Sequence, residues 1–195
     1  MQKIISSEEK NKKIKKQQFV VGMLLIFLML FSSIGFAFNN ATQEVISDRV
    51  VYNGIEFRKD VDYWRFTFNG NEFVTRYNPQ EIGTVSITTS QQLTNYANAP
   101  LYFSGEEGEH FIELERNLAG RFVLRTSRAC VEGTLCTEDL PLKNCATDSI
   151  IVYKNANNNE EEKIYQQEGC TFIVAQTQNQ AQYADAFLFK ILGII

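Results

Sequence analysis

Hydrophobic residues are distributed along the chain in three patterns, each of which predicts a different kind of structure. Over residues 19–38 they run almost unbroken: twenty positions carry no charge, and Gly22, Ser32, Ser33 and Gly35 are the mildest interruptions. At a helical rise of about 1.5 Å per residue such a run measures roughly 30 Å, the thickness of a bilayer's hydrocarbon core, so a membrane helix is expected over residues 18–38. From Val50 onward, apolar and polar residues instead alternate in short runs broken by turn pairs. Asn53-Gly54 interrupts the first of these runs. Asn69-Gly70 joins 63–68 to 72–77 with the spacing of a tight hairpin, and Asn78-Pro79 closes the unit. The third pattern has helical period. It places Phe111, Leu114 and Leu118 on one face of 106–118, with Gly120 as a stop, and it repeats Tyr183, Phe187 and Ile191 along 180–192.

Between these elements, strands are expected at 85–88, 100–104, 122–126, 149–153, 163–166 and 171–175, with a short helix at 91–98. The expected fold class is α+β: one N-terminal transmembrane helix, then a mixed, mainly antiparallel sheet with two or three helices. The expected organisation is a basic tail at 1–17, the membrane helix at 18–38, a polar stalk at 39–49 and one domain over 50–195.

Charge gives this outline a direction. Six of the 19 Lys and Arg and two of the 23 Asp and Glu precede the apolar run, leaving 13 against 21 after it, a net −8. Lysines crowd one flank of the run, while the other is uncharged until Glu44. The positive-inside bias therefore places the N-terminus in the cytoplasm and the later domain outside the cell membrane, with the lipid bilayer as partner of residues 19–38. An acidic outer domain repels nucleic acid. Asn40-Ala41-Thr42 is a glycosylation sequon at the expected outer surface. Gly35 and Ala37 also fit a signal-peptide cut after Ala37, although the apolar run is long for one. A pilin-like filament subunit is a further reading, but the glutamate typical of the start of such a helix is missing.

All four cysteines, Cys130, Cys136, Cys145 and Cys170, lie on the expected outer side, and an even number there predicts two disulfides. Three pairings are possible. Cys130 with Cys136 and Cys145 with Cys170 is favoured, because the strands that follow Cys145 and Cys170 are placed to lie side by side. No Cys-x-x-Cys spacing occurs, which argues against a zinc or redox site.

For chemistry the sequence offers one histidine, His110. On a helix Glu106, His110 and Glu113 share a face, a donor set suited to a metal ion; the alternative is an acidic first helical turn with the histidine in solvent. No Gly-x-Ser-x-Gly turn presents a serine nucleophile, and no cofactor motif is found. Arg121, Arg125 and Arg128 form either a basic patch or a solvated strand edge. Trp64, Phe66 and Phe68 alternate as a core-facing strand does.

The lysine-rich start, the single apolar segment, Tyr52-Asn53-Gly54 with Phe57 and Trp64, Tyr77-x-Pro79, Cys170 opening an apolar strand, and Ala184-Asp185 with Leu192-Gly193-Ile194 together resemble a group of small single-pass membrane proteins of reduced-genome, DPANN-type archaea. That resemblance implies an envelope location and a disulfide-bearing outer domain, and no activity. The expectation is therefore a membrane-anchored, extracytoplasmic binding or structural subunit of an envelope complex, with protein partners or self-association. The alternatives are an enzyme or metal-binding domain centred on Glu106, His110 and Glu113, and the filament subunit.

Overall fold

A computed structural model describes residues 16–29, 49–106, 108–134, 136, 138–157 and 159–195. The chain divides into two compact units, Met1–Ile46 and Ser47–Ile195. In the first unit one helix, α1, runs over residues 16–29. Its large apolar side chains, from Phe19 to Met29, are 56–76% exposed around the whole circumference.

The expected membrane-crossing helix over 18–38 is thereby corrected. At about 1.5 Å per residue, the 14 described residues of α1 measure roughly 21 Å, and among the described residues no helix is long and apolar enough to cross a membrane. An uncharged run bounds where a helix can lie without fixing its length. The rest of the expected span, the stalk, the cut near Ala37 and the sequon at Asn40 lie outside the described residues.

The second unit opens with a four-stranded antiparallel meander, β1 (Arg49–Tyr52), β2 (Ile55–Asp60), β3 (Tyr63–Phe68) and β4 (Asn71–Thr75). Both Asn-Gly pairs turn with positive φ, 47° and 79° at Asn53 and Gly54 and 49° and 77° at Asn69 and Gly70. That is the geometry whose twist matches a two-residue hairpin. Alternation buries Phe57, Trp64, Phe66 and Phe73 on one face. Trp64 keeps its indole satisfied by donating to Glu81 Oε2 at 2.7 Å.

The larger sheet has the order β5-β11-β12-β10-β6-β7, formed by Ser86–Thr88, Lys163–Gln167, Cys170–Ala175, Ser149–Asn155, Pro100–Ser104 and Arg125–Arg128. Only β11 and β12 pair antiparallel; the other neighbours are parallel. This corrects the expectation of a mainly antiparallel sheet. The cause is visible in the central strands, where Ile150, Ile151, Val152 and Tyr153 are all buried, as are all six residues of β12. A strand covered on both faces reads as a continuous apolar run, the mark of parallel sheets, and β6 reaches its parallel neighbour β7 through a helix, α3 (Glu109–Leu118). The short pair β8 (Cys130–Val131) and β9 (Leu142–Lys143) stands apart from both sheets.

Helix α4 (Gln180–Leu192) is buried on nearly every side. Phe189 meets Phe57 and Phe66 of the meander, while Phe187 meets Tyr96 of the short helix α2 (Leu93–Tyr96) edge-on. The main core thus gathers the inner face of the meander, α3, α4 and one face of the larger sheet. A second, smaller core on the other face of that sheet contains Tyr102, Val131, Ile150, Val152, Cys170 and Phe172.

Candidate functional site

The cysteine-bearing segment covers the second core. Cys130 is bonded to Cys136 and Cys145 to Cys170, with Cα atoms 5.8 and 5.0 Å apart, and no described cysteine is free. The second bridge fastens the loop before β10 to the first residue of β12, and these two strands pair parallel. Gly169 makes the close approach possible. Its N–H donates to Cys145 O at 2.7 Å, and a Cβ at this position would lie 2.5 Å from Asp148 O.

The structure does not bring Glu106, His110 and Glu113 together as a metal site. Helix α3 begins at Glu109, and Gly108 is its extended N-cap, so Glu106 stands before the helix and shares no helical face with the other two. His110 is 5% exposed, where a solvent-facing ring was the alternative expectation. Its ring packs 4.2 Å from the Tyr153 ring and 4.8 Å from that of Phe111, and Nε2 donates to the Glu106 carbonyl at 3.0 Å. Burial pushes its pKa below the usual imidazole range. Among the described residues, no group of three or more His, Cys, Asp and Glu is placed to hold a metal ion.

Glu113 belongs to a different arrangement, whose centre the sequence reading missed. Asp185, fully buried in α4, accepts the backbone N–H groups of Arg76 and Tyr77 on Oδ2, both at 2.9 Å. Glu113, 2% exposed, forms an ion pair with Arg116 at 2.6 Å. Asn117, one turn further along α3, donates to Val74 O and Glu113 O and accepts from Val74 N. Together these side chains join α3, α4 and the end of β4. Asp185 Oδ1 and Glu113 Oε2 have no hydrogen-bond partner among the described residues. Burial, and then the charge of Glu113, push the Asp185 carboxyl well above the usual range; burial likewise raises Glu113, against the opposing effect of Arg116. Glu113, Asn117 and Asp185 are all buried, so the cluster reads as an internal polar lock. The one signal in the sequence was an aspartate in the middle of a largely apolar helix.

The three arginines each have a local partner and do not form a patch. Arg121 donates to Glu72 O from a turn, Arg125 reaches the Tyr102 hydroxyl at 3.4 Å, and Arg128 pairs with Glu138 at 2.7 Å. Trp64 and Phe66 lie in the core and Phe68 at its edge. Beside Phe68 opens a groove of about 670 Å³, bounded by the Asn69-Gly70 turn, the segment from Thr89 to Thr94 and the last turn of α4. Phe122 adds a fourth wall, so that residues distant in sequence meet around it.

No family model matches this chain, and no curated protein or solved structure matches it either. The residues themselves therefore carry the functional reading.

Proposed function

We propose that the chain is an extracytoplasmic binding or structural subunit of a protein complex at a lipid surface of the cell envelope. The observation that carries this reading is the pair of disulfides, because such bridges form and persist in oxidising compartments and are rare where thiols are kept reduced. Helix α1 supports the lipid surface. Apolar side chains exposed on all sides of a helix need a non-aqueous surrounding, and six lysines in the first seventeen residues suit anionic headgroups. The net −8 of the residues after Phe38 favours basic or neutral protein partners over nucleic acid.

Thiol labelling of intact cells, followed by mass spectrometry of the unreduced chain, tests the compartment. All four cysteines resist labelling until a reductant is added; four labelled cysteines before reduction would sink the reading. Lysine-directed crosslinking in native membranes tests the complex. It gives discrete adducts with a second chain or a second copy, and a crosslinked monomer alone overturns the partnership.

A further inference from the structure

Two turns of the meander are built on the same dipeptide. Asn53-Gly54 and Asn69-Gly70 are the Asn-Gly pairs of the sequence. All four residues are exposed, and the φ angles of the two turns are nearly the same, 47° and 79° in the first and 49° and 77° in the second. At neither glycine would an added Cβ find an atom within 4 Å.

An asparagine followed by glycine carries its own reaction partners. The side-chain amide carbon lies within reach of the next backbone nitrogen, and glycine has no side chain to hinder the approach. The glycine N–H gives its proton to a solvent base, the nitrogen bonds to Cγ, and the side-chain nitrogen takes up a proton and leaves as ammonia. Water then opens the cyclic imide, adding its hydroxyl to one of the two carbonyl carbons and a proton to the ring nitrogen. Opening at Cγ leaves aspartate; opening at the main-chain carbonyl leaves isoaspartate, with the backbone running through the former side chain.

The two turns differ in what holds the asparagine. Asn53 Nδ2 donates at 2.9 Å to the carbonyl of Ile194, a residue 141 positions away and itself buried in the main core. That bond must break before the Asn53 side chain can swing over its own peptide. The Asn69 side chain has no hydrogen-bond partner among the described residues, so at Asn69 only the turn has to open, and exposed turn tips open locally at little cost. The one bond at this turn favours the reaction. Asn71 Nδ2 donates to Asn69 O at 3.2 Å, and a peptide whose oxygen accepts a hydrogen bond is polarised toward losing its N–H proton, here that of Gly70.

We infer that Asn69 is a site of spontaneous modification, converted through a cyclic imide with Gly70 to aspartate and isoaspartate, while the bond to Ile194 protects Asn53. The conversion adds a negative charge to a groove wall where Lys190 is the one charged residue. The inference stands on the two turns alone and is independent of the partnership proposed above.

The full-length chain in detergent, its disulfides intact, is held at mildly alkaline pH in heavy-oxygen water, beside a second sample unfolded in guanidinium chloride; circular dichroism checks both states. Peptides from samples drawn over days are followed by mass spectrometry, with backbone fragmentation separating isoaspartate from aspartate. In the folded chain Asn69 is converted at least about fivefold faster than Asn53, the factor that one neutral hydrogen bond supplies, and each product carries a labelled oxygen from water. In the unfolded chain the two rates converge. Asn53 reacting as fast as Asn69 in the folded chain overturns the inference, as does an Asn69 that stays intact there. A gap of the same size in the unfolded chain overturns the protective role of the Ile194 bond.

Discussion

Two helices of this chain are apolar around most of their circumference, yet they end in opposite surroundings. In α4, Ala184, Phe187, Leu188 and Phe189 are all fully buried, and residues this close in sequence point to different sides of a helix. In α1, Val20, Val21 and the run from Met23 to Leu28 are each more than half exposed. Apolar content therefore states that a helix must leave water without stating what replaces the water. The difference lies in the polar groups each helix carries. Helix α4 contains Asp185, whose carboxylate oxygen is tied to two particular backbone N–H groups, and Asn53 donates at 2.9 Å to Ile194 O just beyond its end. Such bonds suit one protein surrounding and no other. Between Phe19 and Met29, α1 carries no polar side chain, so its surface asks only for a medium.

The largest effect that separates the two is packing. Phe189→Ala removes a ring that touches Phe57 and Phe66 in the main core and costs about 3–5 kcal/mol of stability. Leu142→Ala, at an exposed position of β9, costs less than about 0.5 kcal/mol, as substitutions away from a core do. Guanidinium denaturation followed by Trp64 fluorescence, the sequence having one tryptophan, reads both. Equal losses in the two variants would show that the surroundings of Phe189 add nothing to the stability of the second unit and would end the comparison.

Next in size are the disulfides, which act on the surroundings of α4 rather than on the helix. Cys170 opens β12, against which α4 packs, and its bridge closes a sequence separation of 25 residues, against 6 for Cys130–Cys136. Loop-closure entropy gives about 3.5 kcal/mol for the first and about 2 kcal/mol for the second. Paired Cys→Ser variants, unfolded thermally, should preserve that order. The reverse order would mean that the Cys130–Cys136 loop, and not β12, limits the cooperative unit.

How much of this was legible in the sequence varied with how local the determinant is. The Asn69-Gly70 hairpin, the strand Pro100–Ser104 and the helix Gln180–Leu192 were expected where they occur, because turn geometry and hydrophobic period are encoded within a few residues. The parallel order of the larger sheet was not, since an apolar run such as Ile150 to Tyr153 has no direction written in it. The start of α3 was misplaced because acidic residues before an apolar period read as a first turn. Gly105, at φ 123°, and the extended Gly108 instead hold Glu106 outside the helix. Asp185 was visible only as a polar residue in an apolar helix, because its partners Arg76 and Tyr77 lie more than a hundred residues away. The groove escaped notice for the same reason, being the meeting point of four distant segments.

Asp185 provides the third test. Asp185→Ala leaves the Arg76 and Tyr77 N–H groups buried without an acceptor and costs about 3 kcal/mol. Asp185→Asn keeps an acceptor and costs far less. The two also differ with pH. Burial and the facing charge of Glu113 raise the folded pKa of Asp185 above the usual aspartate range, while Arg116 on α3 and the two N–H bonds oppose the shift without cancelling it. A raised carboxyl pKa means that the folded chain holds a proton the unfolded chain has released. Its stabilisation is complete below the unfolded pKa and is lost as pH rises through the folded one. As pH rises above about 4, the ordinary aspartate range, the wild type should therefore lose up to about 1.4 kcal/mol per pH unit relative to Asp185→Asn, until the folded carboxyl itself ionises. Urea midpoints across that range measure it, and a wild type that gains on the variant as pH rises would show that Asp185 is ionised in the fold.

The smallest effect concerns how α4 stops. Gly193 adopts φ 73°, its N–H donates to Lys190 O at 3.0 Å, and Ile194 N–H reaches back to Phe189 O at 2.9 Å. This is the arrangement in which a left-handed residue closes a helix and satisfies its last carbonyls, with Ile194 and Phe189 both in the main core. Gly193→Ala places a Cβ in that left-handed conformation and costs about 1 kcal/mol, although no atom lies within 4 Å of the added carbon. Gly193→Asn, which tolerates the conformation better, should recover part of the loss in the same denaturation assay. If alanine and asparagine prove equally costly, the strain is not conformational, and the end of α4 is held by the Ile194 and Asn53 contacts alone.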